Sequence, residues 1–478
     1  MSVGKALAKN SVFQIGGKVM GTVFGLVTFY FMLEFFDTDG FGRFTTAITY
    51  VSIFAIVVDF GLTLTTTQMI SEKGADEPKI LGNLLTLRLI SAFVFMSLAP
   101  LCAPFVPRSE GIMDLIIIAS ISYFFGSIAQ MFVGVFQKRL VILTAVLAEA
   151  ANRFLALLGI LMVGVLGWGL EGAMIAFLIG GVAQLTIILL ATARKVHLRP
   201  QIDLSVWRDI VTRSWPIGVS IFFNLLYLKG DIFFMWIFDR SAEEIGQYGS
   251  AYKVIDVMTV IPVTFMGLLL PLLTLAWSQK KPQEFKAYLQ NGFDLMVILA
   301  LPLATGVAIT GVPIMTAVQP DLVLAGQVLA VLGPAAGVVY LGALYGHTIV
   351  AIGKQKIMTW GYVAVAIVAI TGYILYIPEY GAWAAAWITL VSEALITILT
   401  FAVVTRTIGN VTNVSMLARA VVASLVMTGA ILIIPSPHVL LTVFAGAAIY
   451  IVTLTALGGP KLTHVIDLFR AEKPPITP

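Results

Sequence analysis

Long apolar runs follow one another from end to end of this chain, each closed by a few turn or charged residues. No soluble core could absorb so many of them. Of 478 residues, 59% are hydrophobic and 11% charged, against roughly 45–50% and 25% in soluble domains. A bilayer-crossing helix needs about 20 mostly apolar residues. The hydrophobic residues (59% of 478, about 282) would therefore supply about fourteen spans. The runs lie near 11–36, 43–70, 83–106, 112–137, 144–167, 171–193, 215–238, 246–277, 292–318, 322–350, 357–377, 382–406, 416–435 and 437–457. The expected fold is an all-α polytopic membrane protein with about fourteen transmembrane helices. Disorder, nucleic-acid binding and a soluble catalytic domain are excluded by the same composition.

Charge sets the expected orientation. With the N-terminus in the cytoplasm, 23 of the 29 Lys and Arg fall on inner segments, Lys18 and Arg88 among them, and three (Arg43, Arg108, Arg240) on outer loops. That bias predicts cytoplasmic N- and C-termini and explains the pI near 9.0 without an acidic partner. A single cysteine, Cys102, and four His exclude an internal disulfide and make a metal centre unexpected. No nucleotide-binding spacing follows a strand, so no cofactor is expected.

The longest non-spanning stretch, 194–214, sets Trp207, Ile210 and Val211 among Arg208, Asp209 and Arg213, the spacing of a short amphipathic helix on the inner surface. Across it the chain repeats. Phe36-Asp37 and Phe41-Gly42-Arg43-Phe44-Thr45-Thr46-Ala47 match Phe238-Asp239 and Ile245-Gly246-Gln247-Tyr248-Gly249-Ser250-Ala251, each at the hairpin opening the second span of its half. Parallel repeats are a transporter design. The expected organisation is an N-lobe at 1–193, a cytoplasmic amphipathic linker at 194–214, a C-lobe at 215–406, a hairpin at 407–457 and a cytoplasmic tail at 458–478.

The run IGQYGSAYK (245–253), the DIFFMWIFD preceding it (231–239), DFGL in span two (59–62) and the span count resemble the polysaccharide transporter (Wzx-type flippase) family. This is a branch of the multidrug/oligosaccharidyl-lipid/polysaccharide exporter superfamily. The resemblance covers the whole chain in topology. It implies a V-shaped pair of six-helix bundles in the plasma (inner) membrane. These would move undecaprenyl-pyrophosphate-linked oligosaccharide from the inner to the outer leaflet for surface polysaccharide (O-antigen) assembly. Membrane lipid and polysaccharide polymerase or ligase partners follow from the same likeness, with no nucleic acid and a functional monomer. The superfamily also contains multidrug and toxin extrusion (MATE) antiporters, the competing reading. A membrane enzyme would need reactive groups on a sizeable outer loop, and the outer loops are short.

Charges within spans are functional candidates until a structural role is found for them. Lys18, Arg153, Lys229 and Lys253 are the expected cations for an anionic headgroup. Asp59, Asn224, Tyr227, Asp231, Tyr248, Tyr252 and Asp256 stand on polar stripes at helical spacing and are the expected cavity-lining or ion-coupling groups. Structural readings stand beside these. Glu149 and Arg153 are i,i+4 and can pair, as can Lys253 and Asp256 at i,i+3. Lys18 can snorkel to the inner interface. Asp59 can bond to a neighbouring helix. Lys229 and Asp231, two residues apart, cannot face the same way. Gly17, Gly21 and Gly25 form two overlapping GxxxG steps for close packing. Spans 13 and 14 carry no polar stripe, and a groove beside them would suit a lipid tail.

Overall fold

The computed structural model describes residues 3–72, 74–106, 109–138, 143–193, 199–409, 413–433 and 438–459. The tail beyond 459 and linker residues 194–198 lie outside them. Thirteen α-helices account for nearly all of the described residues, and no strand occurs among these. They are α1 (Val3–Asp59), α2 (Leu62–Ser71), α3 (Glu77–Cys102), α4 (Met113–Lys138), α5 (Leu143–Leu166), α6 (Gly169–Ala193) and α7 (Leu204–Ile237). Then follow α8 (Ala242–Ser278), α9 (Pro282–Val318), α10 (Val323–Ala351), α11 (Gln355–Ile408), α12 (Ser415–Ile433) and α13 (Val439–Ala456).

Eleven helices are long and apolar enough to cross a membrane, or twelve with α7, whose parts Leu204–Tyr227 and Lys229–Ile237 meet at a 62° bend. This is fewer than the fourteen spans expected, and the difference lies in α1 and α11. They run 57 and 54 residues, which at about 1.5 Å per residue is more than twice a hydrocarbon thickness of about 30 Å. Each contains one non-helical residue, Asp37 (φ 55°) in α1 and Gly381 (φ 51°) in α11.

The repeat seen in the sequence returns as backbone geometry. Asp37 and its counterpart Asp239 both take positive φ, 55° and 60°, which Asp tolerates better than most residues. The Asp37 carboxylate accepts a hydrogen bond from Gly40 N at 2.9 Å, restarting the helix. One turn further on, the two equivalent glycines meet. A Cβ on Gly42 would overlap Ala242 O, and one on Gly246 would overlap Thr38 O. The first turn of α8 thus crosses the restarted half of α1 with backbone against backbone.

Span two, expected to be continuous, breaks at Phe60 (φ 31°) and Gly61 (φ 77°) between α1 and α2. Ser214 O and Gly218 N of α7 lie 2.9 and 3.0 Å from where a Gly61 Cβ would stand. Only glycine admits both this φ and this approach. The helical part of the expected linker is the first three turns of α7 itself, with Ile210 fully buried. It is latched to α3: Lys79 pairs with Asp203 at 2.7 Å, Asp203 N donates to Asn83 Oδ1 at 2.7 Å, and Gln201 N donates to Gly82 O. Lys79, followed by Ser205, holds the Asp203 carboxyl well below the usual carboxylate range.

By packing, the chain forms two compact units, Met1–Val260 with Thr359–Ser392, and Ile261–Met358 with Glu393–Pro478. In the first, α6 lies along α4 and α5, and α1 touches α4 and α5. In the second, α9 lies along α10, and the α12–α13 hairpin docks on α9, where Tyr450 Oη donates to Ile298 O at 2.9 Å.

Candidate functional site

Two cavities in the first unit run into one another. One, about 730 Å³, lies among α1, α4, α5 and α6, with Gln14, Lys18, Gln130, Glu149, Asn152, Arg153 and Gln184 on its wall. The other, about 560 Å³, lies between the restarted half of α1, α7 and α8, and is lined by Asp59, Tyr123, Lys229, Tyr252 and Asp256. Phe41, Phe44, Ile48, Gln130 and Lys253 line both. The two adjoin at these side chains and together are called the chamber here, with Lys253 at the junction.

Each acidic group on the chamber wall holds a cation of its own. Asp59 Oδ1 meets Arg88 Nη2 at 2.6 Å, Glu149 Oε1 meets Arg153 Nη2 at 3.0 Å, and Asp256 Oδ1 meets Lys229 Nζ at 3.5 Å. Lys18 and Lys253 have no ion-pair partner among the described residues. Lys253 is close enough to Lys229 and Arg153 to feel their like charge, and to Asp256 to feel its opposite charge. The i,i+3 pairing of Lys253 with Asp256 gives way to a cross-helix pair, because Lys229 on α7 reaches the same carboxylate. Lys229 Nζ also sits 4.9 Å from the centre of the Tyr252 ring, a cation–π distance.

The GxxxG face of α1 receives α5. A Gly17 Cβ would overlap Val146, and the Arg153 stem lies 3.0 Å from where a Gly21 Cβ would be. Arg153 Nη1 donates to Gly21 O at 3.3 Å. Glycine there lets a long cation lie flat on the helix and present its end to the chamber.

Four of the expected lining groups are turned elsewhere. Asp231 is fully buried and accepts from Tyr248 Oη at 2.7 Å. Tyr248, also fully buried, lies 3.5 Å from Thr389 Oγ1 on α11. Tyr227 is buried, and its carbonyl accepts from Tyr373 Oη at 3.0 Å. Asn224 donates to Tyr227 Oη at 3.1 Å. Tyr227 on one side of the α7 bend and Asp231 on the other thus meet α11 and α8.

Arg88 plays a part that sequence reasoning did not foresee. Counted with the inner boundary charges, it is 1% exposed and donates to Ser127 O, Val58 O, Asp59 Oδ1 and Thr63 Oγ1. A guanidinium can be buried only when its donors are met in this way. It closes the break in span two by taking up a carbonyl at the end of α1. Asn152 and Gln184 were also missed. Each is a lone amide in a strongly apolar helix, which in a membrane is itself a signal. They bond to each other at 2.7 Å.

A further cavity of about 650 Å³ lies in the fold of α11 at Gly381, with Tyr376, Tyr380, Trp383 and Trp387 on its wall and no charged residue. The chamber is where polar chemistry is concentrated. Its unpaired ammonium groups suit a multiply charged anion, and its amides suit hydroxyl groups.

Residues 7–277 match the family described as polysaccharide biosynthesis protein. No curated protein sequence matches the chain. Among solved structures, the lipid II flippase MurJ in an inward closed conformation is similar over 96% of this chain and 100% of its own, with TM-score 0.78 at 13% identity. An inward-facing MATE family multidrug resistance transporter is similar over 83% of this chain and 98% of its own, with TM-score 0.65 at 15% identity. A MOP superfamily transporter from Pyrococcus furiosus is similar over 84% and 95%, with TM-score 0.61 at 13% identity. At these identities the likeness is one of fold.

Proposed function

We propose, on the premise that the chain belongs to the polysaccharide biosynthesis protein family, that it is a flippase. It carries prenyl-pyrophosphate-linked oligosaccharide from the inner to the outer leaflet of the plasma membrane. The observation that carries this reading is the charge balance of the chamber, where every acidic group has its own cation and Lys18 and Lys253 are left over. A site with surplus ammonium groups attracts a pyrophosphate and repels the lipophilic cations that a MATE-type antiporter exports. The solved relatives supply the fold for either activity, and the charge supports the first.

The excess of Lys and Arg on the inner segments puts the Asp37 and Asp239 hairpins on the outer side. The Gly42–Gly246 crossing then closes the chamber outward. The headgroup enters from the inner leaflet, drawn by Lys18 and held at Lys253, while the prenyl chain stays in lipid. Separation of the crossing opens the other side, as alternating access requires. Asp231, buried against Tyr248 and away from the substrate path, is the group to carry a coupling proton or Na⁺.

The test uses the purified protein in liposomes holding a fluorescent prenyl-pyrophosphate disaccharide, with a membrane-impermeant quencher outside. Flipping raises the quenchable fraction above that of empty liposomes, and Lys253→Ala slows the rise. An unchanged fraction, with uptake of a lipophilic cation instead, would reassign the chain to the drug exporters.

A further inference from the structure

Amides gather in the larger part of the chamber, beside Lys18 and the Glu149–Arg153 pair. Four helices each contribute one amide to it: Gln14 from α1, Gln130 from α4, Asn152 from α5 and Gln184 from α6. The Asn152–Gln184 bond uses one N–H of the first and the carbonyl of the second, so the Gln184 amino group keeps both donors. Asn152 is held in place because a Gly180 Cβ would overlap its side-chain oxygen. Gln14 and Gln130 make no side-chain hydrogen bond among the described residues, although both are exposed to a cavity inside an apolar bundle. Both amides therefore face the cavity with donors and an acceptor open to whatever fills it.

An amide offers a carbonyl acceptor beside two N–H donors. A phosphate can use only the donors, and the carbonyl repels it. A sugar hydroxyl donates and accepts at once, as does an acetamido group, so both halves of the amide are used. Lys253 at the junction and the amides beyond it offer a phosphate and a sugar different partners.

We infer that the amide-lined half is a glycan subsite. It takes the first sugar of the lipid-linked substrate through hydroxyl and acetamido groups, while Lys253 takes the pyrophosphate. This rests on the flippase reading and adds that sugar identity is sensed in the half formed by α1, α4, α5 and α6. Gln130, which lines both cavities, stands where the sugar joins the phosphate.

The test measures affinity of the protein in lipid nanodiscs for two ligands: a bare C55 prenyl pyrophosphate, and the same lipid carrying one N-acetylhexosamine. Wild type is expected to bind the sugar-bearing lipid more tightly. Gln14→Leu removes an amide that supports no other side chain, so the fold is kept. It is expected to cut affinity for the sugar-bearing lipid about fivefold, the size of one net hydrogen bond, and to leave the bare lipid unchanged. Gln184→Leu is expected to do the same, with a thermal melt to check folding. Lys253→Ala is expected to weaken both lipids alike. Equal loss for both lipids in the Gln variants, or loss for neither, would overturn the subsite while leaving the flippase reading in place. Failure of wild type to bind either lipid would overturn both.

Discussion

At the scale of single residues, the chamber's electrostatics turn on which charges are neutralised. Lys253 has no ion pair among the described residues, the nearby Asp256 being held by Lys229, so Lys253→Ala should weaken binding of a prenyl-pyrophosphate lipid by about 10–100-fold, the range of one or more charge-assisted hydrogen bonds. Asp256 holds Lys229, and Asp256→Asn should release that cation and tighten the same ligand severalfold. A cation exporter would respond to Asp256→Asn in the opposite direction, so the sign in a nanodisc titration decides. Arg88 belongs to the fold. Removing it leaves Asp59, two carbonyls and Thr63 without their donor, and Arg88→Met should cost about 3–5 kcal/mol, as for a broken buried ion pair. A lowered folded fraction in detergent, with Asp59→Asn less affected, is the expected result. The sequence raised a helix-to-helix bond as one reading of Asp59. It did not reveal Arg88 as the partner, because a hydropathy window spreads one arginine over a whole span and leaves it looking like a boundary charge.

At the scale of elements, the equivalent hairpins and the glycine crossing are the parts that the proposed mechanism requires to move. Gly42→Ala or Gly246→Ala adds a methyl group where backbone atoms already touch and should hold the outer side apart. A cysteine at Thr45, which lines the chamber close to the crossing, should then label faster with an impermeant thiol reagent in vesicles, after Cys102→Ser. Unchanged labelling would mean the crossing is not the closure. The latch between α3 and α7 depends on pH. Since the folded-state pKa of Asp203 is lowered, its contribution is complete above the unfolded value of roughly 3.9 and is lost only as pH falls through the lower folded one. The latch should thus hold at neutral pH. Asp203→Asn should open it there, seen as faster backbone hydrogen exchange at Gln201 and Asp203. The break at Gly61 was not legible from Asp59-Phe60-Gly61 alone. A glycine in a span is as often a packing contact, and here the deciding factor is the α7 backbone pressed against it.

At the scale of the whole molecule, the helical membrane class was legible early. In a bilayer each segment must satisfy its own backbone hydrogen bonds, so helix and span follow from local apolarity, and charge at the ends gives the expected orientation. The repeat was legible for a similar reason: the Asp and Gly of each hairpin are dictated by positive φ and by close approach, and both leave a mark on residue identity. What tertiary structure alone decided is the distribution of partners. Helical periodicity says which side chains share a face of one helix, and so separated Lys229 from Asp231. It says nothing of which helix that face meets. Arg88 with Asp59, Lys229 with Asp256 and Asn152 with Gln184 each join different helices, 27 to 32 residues apart in sequence. Only the packing of those helices leaves Lys253 as an unpaired cation between two cavities. The sequence by itself determined that this is a helical membrane protein with a repeated hairpin, because those properties belong to segments. The site belongs to contacts between segments, and it came into view only once the helices were packed.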